Sequence, residues 1–241
     1  MIKINFIDAG RIGYGAGLTL QQNIHKNLTE HKLKIRKQGL SDSKPLSHLI
    51  LCEHDPVFTL GKSGKESNLL FSDSQLSDRG IEYYPTNRGG DITYHGPGQI
   101  VGYPIFDLDD FYHDVHRFVR DIEEVIIKTM KHYYLECTRL NGLTGVWIQD
   151  TNNGSFRKIC AIGVHISRWV TMHGFALNVN TDLNYFEGII PCGISDRDKT
   201  VTSMQEELGM EIDIQQVKNI IVKKFIEVFG IEFNNVSKFI V

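Results

Sequence analysis

Four short segments of this 241-residue chain carry side chains that could do chemistry. Arg88-Gly89-Gly90-Asp91-Ile92-Thr93-Tyr94-His95-Gly96-Pro97-Gly98-Gln99 sets an arginine, a tyrosine and a histidine among four glycines and a proline. Bare backbone amides and close chain approach suit contact with a ligand. Taken alone, the segment reads equally as a tight turn between strands. Arg157 to Ile166 places Lys158 among apolar and small residues, an awkward setting for an ammonium that must stay solvated. Such a lysine either snorkels at a strand end or is placed to act. In His173 to Asn180 a histidine precedes a glycine, although a lone histidine is more often structural. Ile189 to Ile194 puts Cys192 between proline and glycine, away from either helical stripe. That position suits an exposed thiol, reactive where a nearby cation or amide cluster lowers its pKa.

Other candidates fall away. Gly61-Lys62-Ser63 resembles the end of a phosphate loop, but Pro56 occupies the place of its earlier glycine. Gly13, Gly15 and Gly17 do not fit a dinucleotide fingerprint. Cys52, Cys137, Cys160 and Cys192 show neither CxxC nor zinc spacing, so no metal site is expected. Free thiols in a reducing cytosol are the simplest reading of scattered cysteines without an export signal. Cys160, two residues from Lys158, is a second candidate nucleophile. A net charge of −3 gives no polybasic signature, which argues against nucleic acid as the main partner. No apolar run approaches the roughly 20 residues needed to span a bilayer, and residues 2–8 read as a strand and not as a leader. A cytoplasmic protein is expected.

The elements that must hold these segments follow from periodicity. Strands are expected at 2–8, 48–52, 57–60, 81–86, 99–106, 145–149, 158–167 and 175–179. A polar helix spans roughly 17–37, with Leu18, Leu20, Ile24, Leu28 and Leu33 as a sparse stripe. The strongest helical pattern runs from about Asp114 to Tyr133, through Val115, Phe118, Val119, Ile122, Val125, Ile126 and Met130. A second runs from Ile214 to Phe229. In a regular strand Lys158, Cys160 and Ile162 would share one face. Strands and helices do not alternate regularly, so the expected class is α+β with a mixed sheet, in one domain over residues 1–241.

In order and spacing the four segments resemble the octanoyltransferases of lipoate biosynthesis. The pattern R-G-G-x-x-T-Y-H-x-P-G-Q stands at Arg88–Gln99, R-K-I-x-x-[IL]-G at Arg157–Gly163, H-G-[FL]-A-L-N-V-N at His173–Asn180, and P-C-G at Pro191–Gly193. The resemblance implies a biotin/lipoate protein ligase-like fold, a mixed sheet flanked by helices. It makes Cys192 the nucleophile and Lys158 its partner. It assigns the acyl-substrate pocket to Arg88, Gly89, Gly90, Asp91, Ile92, Thr93, Tyr94 and His95, with Ala161, Ile162, Gly163, Gly174, Phe175 and Ala176. His173 is a possible accessory group, and His95 or His173 a runner-up proton carrier.

What the resemblance implies chemically is octanoyl transfer from acyl carrier protein to a lysine of a lipoyl domain, through a cysteine thioester. The acceptors would be lipoyl domains of 2-oxoacid dehydrogenases or the glycine cleavage H protein. Thioester to amide is downhill, so neither ATP nor another cofactor is expected. Ile162 and Phe175 would close the acyl slot. The rivals are an ATP-dependent lipoate or biotin ligase, which Asp91 and the P-C-G segment oppose, a non-catalytic acyl- or cofactor-binding module, and a cysteine hydrolase, which would want histidine as base.

Overall fold

The computed structural model describes residues 1–39, 44–151, 154–190 and 199–238. Its strands are β1 (Ile2–Ile12), β2 (Ser47–His54), β3 (Val57–Leu60), β4 (Glu82–Pro85), β5 (Ile92–His95), β6 (Gln99–Ile105), β7 (Thr138–Leu140), β8 (Leu143–Gln149), β9 (Phe156–Ser167), β10 (Val170–Asn178), β11 (Lys199–Val201) and β12 (Ile231–Lys238). The helices are α1 (Tyr14–Gln38), α2 (Asp73–Asp78), α3 (Val115–His132), α4 (Met204–Leu208) and α5 (Ile214–Phe229).

Among the described residues, one sheet runs in the order β12-β1-β2-β6-β10-β9-β8-β7, with β11 beside β9. β1 pairs in parallel with β12 and β2, and β11 with β9, while the other pairs are antiparallel. A small sheet, β4-β3-β5, stands apart from it. The mixed-sheet α+β class expected from the sequence is the one observed.

Helices α3 and α5 cover one face. Asp114 caps α3 by accepting a hydrogen bond from Arg117 N at 2.9 Å, which satisfies one of the donors that a helix start leaves open. Phe118, Ile122, Val125, Ile126 and Met130 then recur on one side and are fully buried. They meet Val217, Ile221, Phe225 and Phe229 of α5 in one core, which also takes in Ile100, Cys160, Phe175 and Leu177 from the sheet.

The other face is shared. Near one end α1 buries Ile24 and Leu28 against Ile50, Ile105, Val170 and Ala176. Its buried stripe starts earlier than expected and includes Tyr14 and Gln21. β10 likewise begins at Val170, five residues before the expected start. The turn before it holds Arg168 and Trp169, both in the left-handed region at φ 53° and 63°. β7, β11 and β12 were not expected. They are short or rich in polar residues, and tertiary pairing places them where local pattern does not.

Candidate active site

The main cavity opens where the small sheet and the Arg88–Asp91 loop stand over the central strands. It encloses about 350 Å³, at the lower end of the roughly 300–1,000 Å³ usual for ligand sites. Strand alternation builds its floor. Ala161 pairs with Ala176, Ala176 with Val101, and Gly163 with Gly174, so small side chains lie in rows on one face. A Cβ at Gly174 would fall 2.1 Å from Gly102 O, and one at Gly163 would fall 2.6 Å from Gly89 O. Neither position admits a larger residue.

The intervening residues turn the other way. Phe175 pairs with Ile162 and with Gly102, and its ring lies 6.0 Å from that of Phe225 in the α3–α5 core. Ile162 packs against the same core. Both also border the cavity, together with Val119 of α3, so they stand where its wall meets the α3–α5 core.

The loop above is held by its backbone and by one arginine. Lys62 N donates to Arg88 O at 2.8 Å, Ser63 N to Gly90 O at 3.1 Å, and Gly89 N to Val164 O at 2.9 Å. The Arg88 guanidinium donates to Thr59 O at 2.5 Å, to Thr59 Oγ1 at 2.9 Å and to Gly89 O at 3.1 Å. Arginine suits this buttress because its planar fork spreads several donors in fixed directions. Asp91 accepts from Asn68 Nδ2 at 2.5 Å and from Ile92 N at 2.7 Å. Of the pocket residues expected from the sequence, Arg88 to Thr93, His95, Ala161 to Gly163 and Gly174 to Ala176 all border this one cavity, and so does Lys158.

Tyr94 does not border it. Its ring faces the other side of the small sheet, stacked on Tyr185 at 4.7 Å and packed with Phe58. His173 is also absent from the lining. Its N donates to Gln21 Oε1 at 3.0 Å, and its Nε2 pairs with Asn87 Oδ1 at 2.8 Å. Burial, then Arg88, pushes the His173 imidazole down to about 3. His95 is likewise pushed down to about 3, by burial and then by His54. Its Nδ1 sits 2.8 Å from Gln99 Oε1. A proton carrier should titrate near the operating pH, so both histidines are held as neutral hydrogen-bonding groups.

A bulge separates Lys158 from Cys160. Pairing between β8 and β9 slips at Val146/Trp147, so Cys160 stands opposite Val146 and Lys158 opposite Trp147. Ile159 is the extra residue. Adjacent residues of β8 point to opposite faces, and their partners follow them. The expectation that Lys158 and Cys160 share a face is therefore corrected. Cys160 is fully buried in the core, and burial drives its thiol well above the ordinary range. Burial also raises Cys52, and lifts Cys137 to about 12. None of these three is disposed to form a thiolate.

Cys192 lies outside the described residues. The chain on either side of it is placed. Ile190 N donates to Asn68 O at 2.8 Å, and Thr202 N donates to Lys158 O at 3.0 Å. Phe186 and Val201, one on each side, both border the cavity. Among the described residues, no group of three His, Cys, Asp or Glu side chains is arranged to hold a metal ion. No described helix is long and apolar enough to cross a membrane.

Residues 16–226 match the model of the lipoyl protein ligase A/B catalytic domain. The chain belongs to this family. It is 49% identical over 231 residues to the octanoyltransferase of Cytophaga hutchinsonii, covering 95% of this chain and 94% of that protein. It is 47% identical over 230 residues to the octanoyltransferase of Parabacteroides distasonis, covering 95% and 100%. The chain is thus an enzyme of the acyltransferase kind. Among solved structures, a bipartite lipoate protein ligase from Thermoplasma acidophilum superposes with a TM-score of 0.69 at 16% identity, over 100% of this chain and 88% of that one. A lipoate-protein ligase A bound with ATP gives 0.67 at 16%, over 99% and 90%. At such identities the likeness speaks for the fold, that of the lipoate protein ligases.

The site also contains residues that sequence reasoning did not single out. Gln99 Nε2 donates to Tyr94 O at 3.1 Å and to Asn178 Oδ1 at 2.9 Å, and Asn178 Nδ2 donates to Thr202 O at 2.8 Å. This relay ties the glycine-rich loop to the chain that follows residue 198. Both residues stand inside recognised motifs, and a buried amide at the end of a strand was the available signal. Thr59 and Trp147 carried no such signal, because only long-range pairing brings them to Arg88 and Lys158.

Proposed function

We propose that this enzyme moves an octanoyl group from octanoyl-acyl carrier protein to the lysine amine of a lipoyl domain, through a thioester on Cys192. The acceptors would be the lipoyl domains of 2-oxoacid dehydrogenases and the glycine cleavage H protein, in the cytoplasm. The observation that carries the reading is convergence. Lys158, the Arg88–His95 segment and the Ala161–Ala176 rows border one cavity, and the two ends of the chain around Cys192 meet it at Phe186 and Val201. The octanoyltransferases at 47–49% identity support the choice of acyl group.

In the first half-reaction the Cys192 thiolate attacks the thioester carbonyl. A carbon–sulfur bond to Cys192 forms, the bond to the carrier sulfur breaks, and Lys158 gives that leaving thiolate its proton. In the second, the acceptor amine attacks the new thioester and an amide forms. Cys192 leaves as thiolate, and Lys158 takes the proton from nitrogen. Acid–base assistance of this kind is worth about 10²–10⁴-fold. Backbone amides near Gly163 are candidate donors to the tetrahedral oxyanion. The alkyl tail would lie over the alanine and glycine rows, where roughly 0.8 kcal/mol per buried methylene favours it.

Asp91 favours transfer over the ATP-dependent alternative. Asp91 borders the cavity in the glycine-rich loop, and its carboxylate, held by Asn68 and Ile92 N, would disfavour a triphosphate there. Intact-mass measurement after incubation with octanoyl-carrier protein in ATP-free buffer should show one added octanoyl group on Cys192, discharged by a lipoyl domain. Transfer without any such adduct, or an adduct on Cys160, would overturn the reading.

A further inference from the structure

Lys158 stands between two surfaces whose purpose the proposed chemistry leaves unexplained. On one side is the indole of Trp147, with Lys158 Nζ 4.5 Å from the ring centroid. That ring is fully buried, and among the described residues its Nε1 has no hydrogen-bond partner. A tryptophan kept only to fill a core would ordinarily satisfy that donor. On the other side is the backbone of Gly145. A Cβ there would fall 2.7 Å from Cys160 O and 3.6 Å from Lys158 Cε, and φ is +125°, so only glycine fits beside the lysine stem. Gly145 N donates to Glu123 Oε1 at 3.0 Å. Glu123 is itself buried and paired with Arg120 and Arg139.

We propose that Trp147 is a positioning residue for acyl transfer. Its indole face holds the Lys158 ammonium at the cavity and sustains its charge, while Gly145, fixed by Glu123, closes the other side of the stem. This rests on the reading of Lys158 as the group that supplies and recovers a proton. The physical basis is the quadrupole of the indole, which attracts a cation over its face, and more strongly where water is excluded. A neutral amine gains little from that face, so the ring favours the protonated form. It also confines a flexible four-carbon stem that would otherwise sample many rotamers.

The charged and titratable groups on the elements packed around Lys158 include Glu123, Arg120 and Glu124 on α3, Arg139 on β7, Arg157, Cys160 and His165 on β9, Lys199 on β11, Glu206 and Glu207 on α4, and Asp150 just beyond β8. Arg88 joins them across the cavity. Arg157 is occupied with Asp150 and Glu207, and Glu123 with its two arginines. None of these groups changes when the ring is altered, so a ring-dependent shift in the pH profile reports the indole itself.

The test replaces Trp147 biosynthetically with mono-, di- and trifluorinated analogues, in a Trp169→Phe background that leaves it as the one tryptophan to be labelled. Fluorination weakens the face potential with little change in shape. The basic limb of the kcat profile should move to lower pH with each added fluorine, by roughly 0.5–1 pH unit over the series, with KM for octanoyl-carrier protein unchanged. Trp147→Phe should lie between the parent and Trp147→Leu. A limb that stays fixed across the series, in an enzyme that Lys158→Met inactivates, would reduce the ring to space filling and overturn the inference alone. Undiminished transfer by Lys158→Met would instead remove the reading beneath it.

Discussion

The two faces of the central sheet come from the same strands and differ in the size and polarity of what they present. Toward α3 and α5, β6, β9 and β10 offer Ile100, Cys160, Ile162, Phe175 and Leu177, met by Phe118, Phe225 and Phe229. Toward the glycine-rich loop the alternate positions are Val101, Ala161, Gly163, Gly174 and Ala176. The cavity is therefore made by leaving side chains out, and the core on the other face supplies the rigidity that keeps it open. Polar groups follow the same division. His54 with Tyr103, and His95 with Gln99 and Asn178, form hydrogen-bonded groups on the cavity side, whereas the α3–α5 side carries, besides the paired Glu123, a lone hydroxyl at Thr129.

That contrast breaks most visibly at Phe225. Phe225→Ala should cost about 3–5 kcal/mol in chemical denaturation, because a large ring leaves a close-packed site that collapses only in part. The remaining folded enzyme should keep its acyl-chain preference, since the change lies on the far face. A Phe225→Ala protein with unaltered stability would mean that the two faces do not divide structure from function in this way.

Acid should attack the cavity face first. His54 is pushed down to about 4, and His95 and His173 to about 3, in each case chiefly by burial. Unfolded, each takes up a proton near 6.5. Between the two values the unfolded chain binds more protons, so stability rises with pH. The contribution is fully present above about 6.5 and is lost as pH falls toward 3–4. Thermal melts from pH 7 to pH 4 should show Tm falling, with a shallower fall in His95→Gln than in the parent. Parallel slopes for the two proteins would show that His95 is not held neutral in the fold.

Ala176 probes the cavity by filling it. Ala176→Val should lower transfer of the eight-carbon chain relative to the six-carbon chain by about 10–200-fold, the scale of one or two methylenes in an apolar slot. Competition between the two carrier substrates measures it directly. Equal loss on both chains would place the tail elsewhere.

The elements that local pattern places correctly are those whose stability is local or strongly periodic. α3, α5, β3 and β6 match their expected limits to within a residue or two, because continuous apolar stripes or buried runs define them. Of the stripe expected for α1, Ile24 and Leu28 are buried while Leu18, Leu20 and Leu33 are only partly so, and Tyr14, Gly17 and Gln21 join its inner side. Gln21 is buried because it accepts from His173 N, a partner 152 residues away. Lys158 was legible as an oddity of composition, but the bulge at Ile159 was not, since it depends on how β8 registers against β9. The same holds for Phe175 and Ile162: their motif marks them, while their facing is decided by pairing.

Hydroxyl deletions on the two faces sharpen the contrast at the smallest scale. Tyr103 OH lies 2.6 Å from His54 Nε2, both groups buried, and His54 Nδ1 is already engaged with Ile12 O at 2.8 Å. Tyr103→Phe strips the stronger partner from His54 Nε2, which keeps only a long approach to Cys52 Sγ at 3.5 Å. A buried polar atom left so poorly satisfied costs about 1–3 kcal/mol. Thr129 on α3 is equally buried, but its hydroxyl donates only to Val125 O at 2.7 Å, a carbonyl one helical turn back that the helix ladder also serves. Thr129→Val removes the donor without stranding an acceptor, and should stay within about 0.5 kcal/mol of the parent. Urea midpoints of the two variants decide the matter. Equal losses would mean that the polar layer beneath the cavity is no more interdependent than a lone hydroxyl in the opposite core.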